Sequence, residues 1–258
     1  MPIIRRIFEL KHTPGATEVD FSLDDIRAAA LHLGLVVRNP GDVIYRMRSR
    51  TKLPPEILTL GFFVLRPMGR GLYRFERSSS TVIPLPDGPV TDAIDFTPLP
   101  VRRLLPEQLG LIDEQGLLTI IDYNKLMSHF TGLTVYRLRC HVRKSVARVG
   151  QAELDEVDVG VALRDDERPI VFPIEAKAAP DAINRVQIIS GILYALEFFP
   201  GHELRPVAVK VDDDGLIHLL EFNVTDSPAD LTIVRHARYR LKLSEQQLAL
   251  IRQTKVKQ

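Results

Sequence analysis

Apolar positions recur at helical spacing in some stretches of this chain and alternate with polar ones in others, and that contrast predicts its elements. Residues 22–34, SLDDIRAAALHLG, begin with Ser22 as an N-cap, carry acids in the first turn and end on Gly34, which predicts a short helix. A second helix is expected in NPGDVIYRMRSR, with Asp42 as its cap and Val43, Ile44 and Met47 as its apolar stripe, while Arg46, Arg48 and Arg50 largely face elsewhere. Two strand-like runs then flank the turn Met68-Gly69-Arg70-Gly71. Residues 78–100 hold five prolines and a serine run, a composition that favours extended chain, and residues 81–100 read as a linker. Beyond it, IIDYNKLMSHFTG predicts a helix ending near Gly132. TVYRLRCHVRKSV predicts a strand, imperfectly alternating, with Val135, Leu138, Cys140 and Val142 on one side. AELDEVDVGVAL and RPIVFPIEAKA form a predicted hairpin about the turn at 164–167. DAINRVQIISGILYALEFFPG predicts a helix with Asp181 as a possible cap, and two further strands follow around Asp212–Gly215.

This order divides the 258 residues into a front domain (1–80), the linker (81–100) and a rear domain (101–258). The net charge of +1 hides an asymmetry. Residues 1–80 carry 13 Lys/Arg against 8 Asp/Glu, and residues 27–77 carry ten against three. Helix, helix and basic hairpin suggest a winged helix-turn-helix, with Arg46, Arg48, Arg50, Lys52, Arg70 and Arg74 as candidate contacts to DNA phosphates or bases. Arg66 and Arg77 also fall on or beside the hairpin. One cysteine, Cys140, excludes an internal disulfide and is expected to be buried. No apolar run approaches a membrane span, so a reducing, cytoplasmic setting is the default.

The candidate chemistry lies in the rear domain. Side chains of a strand alternate faces, so Ile170, Phe172, Ile174, Ala176 and Ala178 form one apolar face, and Glu175 and Lys177 project together from the other, about 7 Å apart. The preceding strand offers Glu153 and Asp155 on one face, or Glu156 and Asp158 on the other. An antiparallel fold about Asp165 sets Asp155 opposite Glu175, and a later turn centre brings up Asp158 instead. Clustered carboxylates need a positive charge between them, and Mg²⁺ takes such oxygen ligands while keeping waters. The histidines show no pairing that marks a catalytic dyad, and the acidic loop 212–214 reads as a turn. Arg143, together with Lys144, could grip a backbone, although a charged strand end is the plainer reading.

ELDEV followed by PIEAK and a helix resembles the PD-(D/E)xK nuclease superfamily over residues 119–223. The Gln187 and Tyr194 of that helix are loosely similar to the Gln and Tyr of RecB-like members. The resemblance implies an α/β, restriction-endonuclease-like αβββαβ core with a mixed sheet, here preceded by the small winged-helix domain. It also implies Mg²⁺ dependence and cleavage of double-stranded DNA, as in a type II restriction enzyme or related defence nuclease. Asp155 and Glu175 then hold the metal, with Glu153 or Asp158 as further or rival ligands, Lys177 assists the attacking water and Gln187 supports the site. Symmetric cutting of both strands favours a homodimer. The alternative is a winged-helix regulator whose nuclease-like domain serves dimerisation without cleavage.

Overall fold

The computed structural model describes residues 2–49, 52–161 and 168–245, without the side chains of 45–49. Arg50 and the hairpin turn 164–167 therefore lie outside the described residues, as do the side chains of Arg46 and Arg48. The front unit begins with a helix not anticipated from the sequence, α1 (Pro2–Lys11), whose Ile3, Ile4, Ile7 and Phe8 make a buried stripe. After β1 (Glu18–Ser22), Ser22 caps α2 (Leu23–His32) in a reciprocal capping box with Asp25, and Gly34 follows at positive φ. α3 (Pro40–Ser49) starts earlier than expected: the Asn39 side chain accepts the Gly41 amide, so Asp42 sits in the first turn rather than capping it. A short α4 (Pro55–Leu58) leads to the hairpin β2 (Phe62–Pro67) and β3 (Leu72–Arg77). The three strands pair antiparallel in the order β1-β3-β2.

One face of this small sheet, with Val19, Phe21, Leu65 and Phe75, packs on the helices. The other is charged, and it is not a free wing surface. Arg66 and Glu76 form a buried ion pair, and Arg74 is held by Glu18 and by both oxygens of Asp20. A Cβ on Gly69, at the hairpin turn, would lie 3.0 Å from the Ala147 carbonyl of the rear unit, so the turn abuts that unit.

The expected linker is partly built into the rear sheet. Ile83 donates its amide to Ile183 and is buried, and β4 (Val90–Ile94) pairs in parallel with the last strand. Pro84, Pro86 and Pro89 precede this edge strand and Pro98 and Pro100 follow it, so no proline takes a ladder position. After α5 (Leu99–Arg102), Asp113 caps α6 (Glu114–Tyr123). The helix expected to run to Gly132 is broken, because Lys125 takes positive φ and α7 (Leu126–Thr131) restarts before Gly132 ends it. Asn124 at the break bonds the Ile120 carbonyl, Asp95, Thr97 and the Phe96 amide, tying the helix pair to the segment after β4.

β5 (Thr134–Val146), β6 (Gly150–Val161) and β7 (Ile170–Lys177) form an antiparallel meander, and α8 (Arg185–Phe198) follows. Asn184, not Asp181, caps α8. β8 (Glu203–Leu204) pairs with β7, as does β9 (Val207–Val211), in parallel. β10 (Ile217–Phe222) and β11 (Ile233–Lys242) complete the sheet, in the order β4-β11-β10-β9-β7-β6-β5. Both faces are covered: α8 packs on Val171, Val157, Ala208 and Leu220, while α6 and α7 pack on Phe172, Ile174, Val209 and Leu219. β9 and β10 accordingly read as continuous apolar runs. β5 is the uncovered edge, with a bulge between Arg137 and Arg139 and positive φ at His141, which leaves Leu138 and Cys140 exposed rather than buried.

Candidate active site

The site begins with the last residues of β7. Phe172, Ile174 and Ala176 are anchored under α6 and α7, so Glu175 and Lys177 point to the α8 side. Glu175 is only 6% exposed. Its Oε1 receives Lys177 Nζ at 2.5 Å and also the Gln187 amide from the first turn of α8, and Lys177 further bonds the Ala176 carbonyl at 2.9 Å. Burial pushes the Glu175 carboxyl up to about 7; Lys177 opposes that rise and the charges of Asp155 and Glu114 add to it. Burial disfavours the Lys177 ammonium, yet Glu175 and Asp155 outweigh it, and its pKa stands above that of an ordinary lysine.

The β6–β7 register pairs Glu156 with Ile174 and Asp158 with Phe172, a ladder centred on position 165. Asp155 is therefore the residue beside Glu175, and its Oδ2 accepts the Ala176 amide at 2.8 Å, where a ladder bond to β6 would otherwise run. Leu154 and Val157, three positions apart, both join the α8-side core, so strict alternation of β6 is interrupted around Asp155. Glu153 does not share the site: it faces solvent in an ion pair with Arg143, which accounts for both of those candidates. Asp158 lies on the α6 side. Tyr194 is fully buried against Phe198, away from any polar partner among the described residues.

Two carboxylates from adjacent strands, each with one oxygen already engaged, fit a hard cation that keeps most of its waters. Among the described residues no three or more His, Cys, Asp or Glu converge on one point, so water would complete such a shell. No protein-family model, curated protein or solved structure matches this chain.

Two neighbours of the site were not expected. Glu114, the first residue of α6, acts electrostatically on both Glu175 and Lys177. Lys210 of β9 is the register partner of Lys177, and its Nζ holds the Ala178 and Asp181 carbonyls, steadying the β7–α8 connection. Neither position carries a local motif; only the parallel β7–β9 pairing and the packing of α6 bring them near. His129 bonds the Tyr239 hydroxyl and Asp212 caps its own turn through the amides of Asp214 and Leu216, both structural roles. Of the front-domain candidates with described side chains, Lys52 and Arg70 are exposed and Arg74 is neutralised by its carboxylates.

Asp158 has a different fate from Asp155. It is buried at the base of an open pocket that Glu156, Asp122, Arg137, Lys125 and Ser128 also line, where Arg137 pairs with Glu156. Burial, then the hydrogen bond and charge of Glu156, push its carboxyl up to about 9 from an ordinary 3.8, so the acid is held neutral. A group whose folded pKa is raised favours folding fully below about pH 4, and that contribution is lost as pH climbs towards about 9. Asp158→Asn, which keeps a donor for Glu156, should remove this slope. Urea unfolding should show the variant gaining on wild type between pH 5 and pH 8, by about 1 kcal/mol or more. Equal differences at the two pH values would refute the buried neutral acid.

Proposed function

We propose that this chain is a Mg²⁺-dependent endodeoxyribonuclease that hydrolyses phosphodiester bonds of duplex DNA, akin to type II restriction enzymes or related defence nucleases. The observation that carries the reading is the placement of Asp155 and Glu175 side by side on adjacent strands, with Lys177 seated on Glu175. A helix, three antiparallel strands, a helix and a strand parallel to the third are the elements that an αβββαβ nuclease core requires. The front order of helix, strand, three helices and a hairpin, with its β1-β3-β2 sheet, supports a winged-helix fold.

In this reading Asp155 and Glu175 hold the cation, which when bound supplies an acidified water and neutralises charge on the phosphate. Lys177 would donate to the attacking water or to a non-bridging phosphate oxygen, and Gln187 would hold the Glu175 carboxylate in place. The ion-paired charged face of the front sheet shifts the expected DNA contact towards α3, Lys52 and Arg70. Two-fold cutting favours a homodimer. Among the described residues no helix is long and apolar enough to cross a membrane.

Purified protein should cut unmethylated phage DNA with Mg²⁺ and lose the activity with EDTA. Discrete bands indicate site-specific cutting and a smear a non-specific nuclease. Asp155→Asn should abolish cutting, while Asp158→Asn retains it. Tight DNA binding with no cleavage under Mg²⁺ or Mn²⁺ would replace this reading with a non-cleaving regulator.

A further inference from the structure

We infer that the outer edge strand β5 is a nucleic-acid docking surface, on which Arg139 and Lys144 hold phosphates of the strand that enters the candidate active site. The inference rests on the nuclease reading for its direction but on β5 for its content. β5 ends the sheet, and from Tyr136 to His141 it is exposed along its whole length. It bears Arg137, Arg139, His141, Arg143 and Lys144 and no acid. Arg137 is engaged by Glu156 and Arg143 by Glu153, whereas Arg139 and Lys144 are exposed and make no ion pair among the described residues.

Register tells which way these two cations face. Arg139 pairs with Val157 and Lys144 with Ala152, and facing residues share a side of the sheet. Val157 and Ala152 both belong to the α8-side core, the side that carries Glu175 and Lys177. Between them β5 changes face: Cys140 pairs with Glu156 and Val142 with Leu154, which lie on opposite sides of the sheet, and the residue in the gap is His141 at φ 48°. That irregularity stands opposite Asp155, where β6 makes the same change. Without it, Arg139 and Lys144, five positions apart, would fall on opposite faces.

Dimensions suit a backbone. Five residues of strand span about 16 Å, and β5 lies about 10 Å from β7 across two strand spacings. The two cations thus bracket the Asp155 register at a separation of about five base-pair rises along the duplex axis. A second copy of the chain is the poorer occupant, because two-fold pairing of β5 with itself would oppose cation to cation.

The test is binding of the full chain to a labelled 30-base-pair DNA duplex, measured by fluorescence anisotropy over a salt series without added metal. Arg139→Ala/Lys144→Ala should weaken binding about tenfold and lower the slope of log Kd against log salt by about 2. Arg139→Lys/Lys144→Arg should restore both, which separates lost charge from misfolding. Wild-type affinity and slope in the alanine variant overturn the inference, whether or not that variant self-associates, and so does absence of duplex binding by the parent protein. Plasmid nicking with Mg²⁺ reports separately on the nuclease reading: a protein that never nicks but shows the slope change loses that reading and keeps this one.

Discussion

Lys177→Met should reduce Mg²⁺-dependent nicking by at least about 10²-fold while leaving duplex affinity in the absence of metal within about twofold, the scale expected when a single preorganised donor to a developing charge is removed. Loss of fold is not the expected cause. Lys177 opposes the rise in the Glu175 carboxyl's pKa, so in the variant Glu175 keeps its proton to higher pH and remains neutral in its buried position. The Gln187 amide still holds Oε1. Glu175→Gln should be equally inactive, by loss of a metal ligand.

The pH profile gives a second reading of the same pair. With its carboxyl near 7, Glu175 is partly protonated at neutrality, and a cation must displace that proton. Apparent Mg²⁺ affinity should therefore rise as pH increases through about 7 and flatten above it. Wild-type rates in Lys177→Met, with the same metal requirement, would remove the catalytic assignment altogether.

The parts of this site legible in the sequence are those set by local rules. The apolar run ending in Glu175 and Lys177 fixes their shared face, whereas the sequence leaves Asp155 and Asp158 as rivals, and only the β6–β7 register puts Asp155 beside Glu175. Ser22, Gly34 and Gly132 mark helix ends because caps and left-handed turns need those residue types. The misplacements share another origin. Strict alternation predicts that Glu153 accompanies Asp155 and that Leu138 and Cys140 are covered, but both strands change face near Asp155 and no helix roofs this part of β5. Likewise the Pro-rich segment is extended, as its composition requires, yet only the distant β11 turns five of its residues into an edge strand. Non-local pairing leaves no trace in a window of ten residues.

The same limit applies to Arg66, which reads as one more cation of a DNA-binding hairpin and is instead buried with Glu76, at 2.6 Å and 5% exposure for each residue. Burial raises the Glu76 carboxyl despite Arg66, so desolvation outweighs the pairing. Arg66→Ala should consequently destabilise the protein by about 3–5 kcal/mol, since it strands a buried acid beside Glu18. In a chain of this size that is a fall in Tm of about 10 °C. Replacing both partners, as Arg66→Met/Glu76→Leu, should recover most of the loss, because two apolar side chains carry no desolvation cost in this buried position. Calorimetry of the three proteins decides it. If Arg66→Ala unfolds within about 2 °C of wild type, the pair is hydrated, and the charged face of the small sheet becomes available to DNA after all.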